Sequence, residues 1–243
     1  MAPTVVLLHG FTHTGASWDP VVAALGERYR ALAPDIRGHG SAADARPVSL
    51  AAVIGDIRRV APPRFTLAGY SMGGRIALHA ALALPSRVER LILIGASPGI
   101  GDRHERRQRR QADERLAGEL EALDIEALAE RWARETAVVA EQPERVRTVA
   151  HADRLRNSPP GLAQALRQLG PGALPPVWRR LAQLPMPVTL VVGRRDEKFQ
   201  AIAARMAGAI PRARTVSVPE AGHAVHLEAP GTVAEIIAGD TTG

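Results

Sequence analysis

Ser71 stands in Gly69-Tyr70-Ser71-Met72-Gly73, after the apolar run Phe65-Thr66-Leu67-Ala68 and before a helical pattern that begins at Met72. Gly-x-Ser-x-Gly between a strand and a helix is the spacing of a nucleophile elbow, whose glycines leave room for a tight turn that exposes the serine hydroxyl. Such a serine needs a base. Of the eight histidines, His223 lies in Pro219-Glu220-Ala221-Gly222-His223, just after the last strand-like run, and the base comes last in the chain order serine, acid, histidine. His9 ends the first strand-like run, His39 falls in a turn and His79 lies inside the helix after Ser71. His13, His104 and His151 have no acid-and-strand context. The acid that orients the imidazole and fixes its tautomer is expected at the exit of the preceding strand. Asp196 meets this in Leu190-Val191-Val192-Gly193-Arg194-Arg195-Asp196. Asp102, after the fourth strand-like run, is the competitor, with a helix N-cap as its plainer role. His226 and Glu228 would form a metal site only with a third ligand, and no motif supplies one.

The electrophilic side of such a site is backbone. Val5-Val6-Leu7-Leu8-His9-Gly10-Phe11 reads as a strand followed by a turn, so the amides of Phe11 and Met72 are the expected oxyanion-hole donors, the second at a helix N-terminus.

These residues must be held by a sheet. Six runs read as strands buried on both faces: Thr4–His9, Tyr29–Pro34, Phe65–Tyr70, Arg90–Gly95, Val188–Gly193 and Arg214–Val218. Most are rich in Val, Leu or Ile without clean alternation. Helical patterns fall between them, over Ala16–Glu27, Leu50–Val60, Met72–Leu84, Ala201–Ala209 and Pro230–Ala238. Alternation of this kind predicts an α/β protein with a mostly parallel six-stranded sheet. From Asp102 to Gln183 the rhythm stops. Four helices are expected there instead, over His104–Leu120, Ile125–Glu135, Pro143–Leu155 and Leu162–Leu169, separated by Pro- and Gly-rich links. The reading is a core of 1–101 and 184–243 with a helical lid, 102–183, inserted over the C-terminal edge of the sheet, where long insertions usually serve binding.

Composition narrows the classes. With 243 residues, 46% of them hydrophobic, the chain suits one ordered domain. No run reaches the ~18 apolar residues of a membrane span, and Met1-Ala2-Pro3 leads straight into the first strand with no leader pattern, so a cytoplasmic protein is expected. The absence of cysteine removes disulfides, thiolate zinc sites and cysteine nucleophiles. The net charge of +6 comes almost wholly from arginine, Lys198 being the only lysine. Because these arginines are mixed with acids at helical spacing, they read as a salt-bridged surface and not as a nucleic-acid interface.

The elbow, the backbone donors and the inserted helices together describe an α/β-hydrolase fold. Within that superfamily the chain resembles the 2-succinyl-6-hydroxy-2,4-cyclohexadiene-1-carboxylate synthases, the MenH family, over nearly its whole length. The resemblance is carried by Gly69-Tyr70-Ser71-Met72-Gly73-Gly74-Arg75, Ser97-Pro98-Gly99-Ile100, Arg109-Arg110-Gln111-Ala112-Asp113 and Arg131-Trp132. It continues through Leu155-Arg156-Asn157 with Gly161-Leu162-Ala163, Asp196-Glu197-Lys198-Phe199 and Gly222-His223-Ala224-Val225-His226. It implies a Ser71, Asp196 and His223 triad, anion-binding arginines Arg75, Arg109 and Arg156, and Tyr70 and Trp132 lining the pocket. Arginine's rigid donor fork suits a substrate with several carboxylates. Taken without the resemblance, Arg109 and Asp113 read as an i,i+4 surface pair, Arg156 as a solvated helix residue and Trp132 as lid core. Two segments depart from the family pattern. Thr136-Ala137-Val138-Val139 replaces a proline followed by bulky apolar residues, and Asp35-Ile36-Arg37-Gly38-His39-Gly40 is a generic turn of the superfamily.

The resemblance implies a cofactor-free, metal-free lyase that takes a small polycarboxylate, as a monomer or weak homo-oligomer. Ser71, activated by His223, would remove a proton α to a carbonyl, and pyruvate would leave. The alternative on the same fold is a serine hydrolase (carboxylesterase, thioesterase or C–C bond hydrolase) in which Ser71 attacks a carbonyl. A non-catalytic binding protein is the remaining class, disfavoured by the intact set of Ser71, Asp196 and His223.

Overall fold

The structure, a computed structural model, describes residues 2–136 and 142–239. Six parallel strands, β1 (Thr4–Leu8), β2 (Arg30–Leu32), β3 (Phe65–Tyr70), β4 (Val88–Ile94), β5 (Val188–Gly193) and β6 (Ala213–Val218), form one sheet in the order β2-β1-β3-β4-β5-β6. Every residue of β1, β3 and β5 is buried, as the unbroken apolar runs require of strands covered on both faces. The edge strands β2 and β6 are more exposed.

Alternate side chains feed two cores. Leu8, Leu67, Leu91, Leu93 and Leu190 face helices α2 (Leu50–Val60), α3 (Met72–Ala83) and α8 (Glu197–Ala207), while Leu7, Ala68, Ile92 and Val191 face α1 (Asp19–Leu25) and α10 (Pro230–Ala238). A single-turn α9 (Val225–Glu228) precedes α10. The chain leaves β1 toward β2 and then crosses to β3 on the other side. In open parallel sheets the crevice at such a switch point, outside the strand C-termini, is where ligands sit. The exits of β1 and β3, which carry Phe11 and Ser71, are neighbours there.

Between β4 and β5 the described residues hold no strand. They form α4 (Arg103–Glu121), α5 (Ile125–Glu135), α6 (Glu144–Arg154) and α7 (Pro159–Leu169), then a 3-10 turn over Trp178–Gln183. Asp102, Asp124 and Ser158 cap α4, α5 and α7 by accepting the amides of Glu105, Ala127 and Gly161. α4 packs on α7, with Ala117, Leu120, Leu162 and Leu166 in a small core of their own. Ala137, Val138 and Val139, part of the departure after Trp132, lie outside the described residues. Among the described residues no helix is long and apolar enough to cross a membrane.

Boundary differences have local causes. The expected helix Ala16–Glu27 is a 3-10 turn over Gly15–Trp18 followed by α1, because Pro20 has no amide to donate and fits only in a first turn. Pro159 and Pro160 likewise start α7 three residues before Leu162. α8 begins four residues before Ala201 because Asp196 caps it, accepting the Phe199 amide at 3.2 Å.

Candidate active site

β3 delivers Ser71 into a conformation that few side chains adopt, φ +50° and ψ −108°. Glycines make the turn possible. A Cβ on Gly69 would stand 2.5 Å from the Gly73 carbonyl oxygen, and one on Gly73 would stand 2.2 Å from that of Leu8. Ser71 makes no capping bond to α3. Its Oγ lies 3.2 Å from His223 Nε2, and His223 Nδ1 lies 2.6 Å from Asp196 Oδ2. Asp196 is buried, and its second oxygen accepts Phe199 N–H. The acid at the exit of β5 is thus also the cap of α8, which fixes it from both ends. The imidazole is flanked by the rings of Phe199, at 4.5 Å between centroids, and Tyr70, at 5.3 Å. Asp102 sits exposed at the start of α4, where the Glu105 amide holds its carboxyl below the ordinary range.

Glu228 is a residue that motif reading passed over except as half of a metal pair. Its buried carboxylate accepts the amides on both sides of the base, Gly222 N–H at 2.8 Å and Ala224 N–H at 3.1 Å, and pairs with Arg195 at 2.8 Å. It anchors the His223 loop. His226 lies fully buried against Tyr70 and Trp18, and burial keeps it neutral well below the ordinary histidine range. Among the described residues no group of three or more metal-ligating side chains is found.

Opposite the serine, the exit of β1 comes close. A Cβ on Gly10 would stand 2.6 Å from the Tyr70 ring, so only glycine lets Phe11 approach the elbow. The Met72 amide opens α3, among the N–H groups that no helical carbonyl reaches. Trp132 packs edge-on against Phe11 at 5.3 Å, and also lines a cavity of about 220 Å³ with Leu116, Leu120 and Leu128. Tyr70 is buried, and burial raises its phenol above the ordinary value.

The arginines divide. Arg75, one turn after Ser71, is buried with Nε and Nη1 unpartnered. Burial, and next the charge of Arg109, lower its pKa to about 10. Arg109 is half-exposed and donates to Asp113 at 2.6 Å, but Asp113 is itself buried and also accepts the Gly172 amide, so the pair is more than a surface contact. Arg156 is exposed, on the rim of a different cavity with Asp19, Asp35 and Ser41. α6 ends at Arg154, and the turn beyond it carries Arg156 outward. Arg154 instead faces in. It is 1% exposed, its Nε donates to Thr12 Oγ1 at 3.3 Å, and both terminal nitrogens are unpartnered. Burial lowers its pKa to about 10. The signal for it was present as a helical face, Val146, Ala150 and Arg154 at i, i+4 and i+8.

A model of the alpha/beta hydrolase family matches residues 5–236. The chain belongs to that family. It is 35% identical over 244 residues to a Bacillus subtilis (strain 168) protein described as a candidate 2-succinyl-6-hydroxy-2,4-cyclohexadiene-1-carboxylate synthase, covering 96% of this chain and 88% of that one. It is 32% identical over 238 residues to the pimeloyl-(acyl-carrier protein) methyl ester esterase of Nitrosomonas europaea, covering 94% and 91% respectively. Among solved structures, MenH from S. aureus matches with a TM-score of 0.91 at 29% identity, over 98% of this chain and 92% of that one. The likeness carried by the short motifs therefore extends over nearly the whole chain. Both relatives are named as enzymes, and this alpha/beta hydrolase is an enzyme.

Proposed function

We propose that this alpha/beta hydrolase is a lyase of menaquinone biosynthesis. It would eliminate pyruvate from 2-succinyl-5-enolpyruvyl-6-hydroxy-3-cyclohexene-1-carboxylate to give 2-succinyl-6-hydroxy-2,4-cyclohexadiene-1-carboxylate. The observation that carries the reading is a pair of buried guanidinium groups, Arg75 and Arg154, with donors that no protein group meets. Buried charged donors are costly unless paired. They suit a substrate with several carboxylates far better than the neutral acyl chain of an ordinary ester.

In this reading His223 takes the Ser71 proton, Ser71 Oγ removes the proton α to the succinyl carbonyl, and the electrons move onto the carbonyl oxygen. The amides of Phe11 and Met72 hold that enolate. The enolate then collapses to a C2=C3 bond, the ring double bond shifts from C3=C4 to C4=C5, the C5–O bond breaks, and the departing enolpyruvate becomes pyruvate by taking the proton held on His223. Asp196 stabilises the imidazolium in between. Every step is assigned to three side chains and two backbone amides, with the protein acting in the cytoplasm as a monomer or weak homo-oligomer.

A serine hydrolase is the second reading, favoured by the 32% identity to a methyl ester esterase. Incubation with the cyclohexene substrate and, in parallel, with a small uncharged ester separates the two. Pyruvate release with slow ester turnover is expected; fast ester turnover without pyruvate would establish the hydrolase.

A further inference from the structure

We propose that Asp153 and Asn157, at the end of α6, are positioning residues that shape the oxyanion-hole loop, so that the hole is complete only when the inserted helices are docked. The proposal rests on reading the Phe11 amide as an oxyanion donor.

The loop after β1 turns sharply, the His13 amide donating to the Gly10 carbonyl at 3.2 Å, with Phe11 and Thr12 at the centre. Turns with a positive φ at the third position favour glycine there. This one holds Thr12, a β-branched residue, at φ +66°. Such a conformation persists only where the surroundings impose it. Here they come from the insertion. Asn157 Nδ2 donates to the Thr12 carbonyl at 3.0 Å, and Arg154 Nε donates to its hydroxyl at 3.3 Å. Asp153 accepts the Thr14 amide at 3.0 Å, His13 Nδ1–H at 3.0 Å and the Thr14 hydroxyl. Burial works against charge on Asp153, but the bonds from His13 and Thr14 outweigh it and hold the carboxyl below its ordinary range, so it stays an acceptor.

The partners are about 140 residues apart in the chain. The local bonds are the turn bond itself and those by which Thr14 caps the following 3-10 turn, accepting the Ala16 amide at 3.2 Å and the Ser17 amide at 3.1 Å. On its other side Asn157 Oδ1 accepts the Gly40 amide at 3.1 Å, which ties the same side chain to the loop after β2. Three consecutive loop residues, Thr12, His13 and Thr14, are therefore fixed by a single helix end. If Thr12 relaxes to an ordinary φ, the segment carrying the Phe11 amide rotates relative to Ser71. This goes beyond the usual view of a lid as a cover, because the inserted segment sets the geometry of a donor that belongs to the sheet.

The test is Asn157→Asp. It is isosteric and keeps an acceptor for Gly40 but cannot donate to Thr12. Two rates are measured below the melting temperature of the variant: phosphonylation of Ser71 by a fluorophosphonate, which needs the oxyanion hole whatever the natural substrate, and pyruvate release. Phosphonylation slowed at least tenfold, with kcat reduced by a similar factor and KM within twofold, is expected. A folded variant that reacts with the fluorophosphonate at the wild-type rate would overturn the proposal. If Asn157→Asp does not fold, Asp153→Asn, which turns an amide toward the donors of His13 or Thr14, carries the same expectations and the same refutation. If the wild type is phosphonylated but releases no pyruvate, the lyase reading falls, and the phosphonylation rates still decide this one.

Discussion

The two sides of the candidate site differ in how completely the protein satisfies them. At the sheet edge, Ser71, His223 and Asp196 find their partners within the chain, and Glu228 holds the loop of the base by both neighbouring amides. On the other side, Arg109 of α4 and Arg154 of α6 are aligned by Asp113 and Thr12, and Arg154, like Arg75 of α3, is left with buried donors unmet. In the proposed reading, Ser71, His223 and Asp196 supply reactivity that many substrates can use, and the under-satisfied buried cations supply the selection, because an anion that meets them recovers what a neutral ligand cannot.

Mutations in the first region are expected to have the largest effects and to spare no substrate. Ser71→Ala, His223→Ala and Asp196→Asn each lower kcat by roughly a thousandfold or more, and double mutants lose little further because the three act as a unit. Asp102→Asn, a cap with no tie to the base, leaves steady-state rates unchanged; if it rivals Asp196→Asn, the assignment of the acid is wrong. Mutations in the second region should discriminate between substrates. Arg75→Ala lowers kcat/KM for the polycarboxylate by roughly 10- to 100-fold, the worth of a charged hydrogen bond, while turnover of a small neutral ester stays near wild type. Arg154→Ala costs the polycarboxylate at least as much, and because it also frees the Thr12 hydroxyl it slows the ester by a smaller factor. Arg156→Ala, out on the surface, changes either rate by less than about twofold, within ordinary surface effects. Equal losses on both substrates for Arg75→Ala would erase the distinction between the regions.

Smaller effects sharpen the first region. Glu228→Gln keeps the shape but weakens the grip on Gly222 and Ala224, and a roughly tenfold fall in kcat with little change in KM is expected from a displaced base. Stability should also fall in mild acid. His9, His39 and His226 are held below the ordinary histidine value by burial, His9 at about 4. Below pH of about 6.5 the unfolded chain protonates them. The folded chain does not protonate His9 until about 4. The unfolded state therefore binds more protons through that window, and stability is lost as the pH falls through it, by at most about 1.4 kcal/mol per pH unit for each group. Calorimetry between pH 7 and pH 5 reads this as a falling Tm; a Tm that stays level would mean these rings are not neutral and buried.

Much of the first region was legible in the sequence, because its determinants are local. Gly69 is required by a backbone contact within a five-residue turn, and strand runs such as Phe65–Tyr70 and Val188–Gly193 match the observed elements to the residue. Arg154 was hidden behind Arg156 because a motif gives order along the chain, whereas the helix end decides which of two nearby arginines turns inward. Glu228 was hidden for another reason. The groups by which it holds the His223 loop are backbone amides, which carry no residue-type signal. The latch between α6 and the β1 loop joins residues about 140 positions apart, and no pattern in a single chain reports such a pairing.

In the proposed lyase, Ser71 acts as a base toward an anionic substrate and does not become acylated. A single turnover, with enzyme in excess over the cyclohexene substrate and quenched at intervals, tests it directly by pairing pyruvate formation with the intact mass of the protein. Pyruvate should rise to one equivalent per substrate while the mass of the protein, and of the peptide containing Ser71, never changes. A transient mass increase at Ser71, with pyruvate absent, would contradict the account and make this enzyme an acyl-transferring hydrolase.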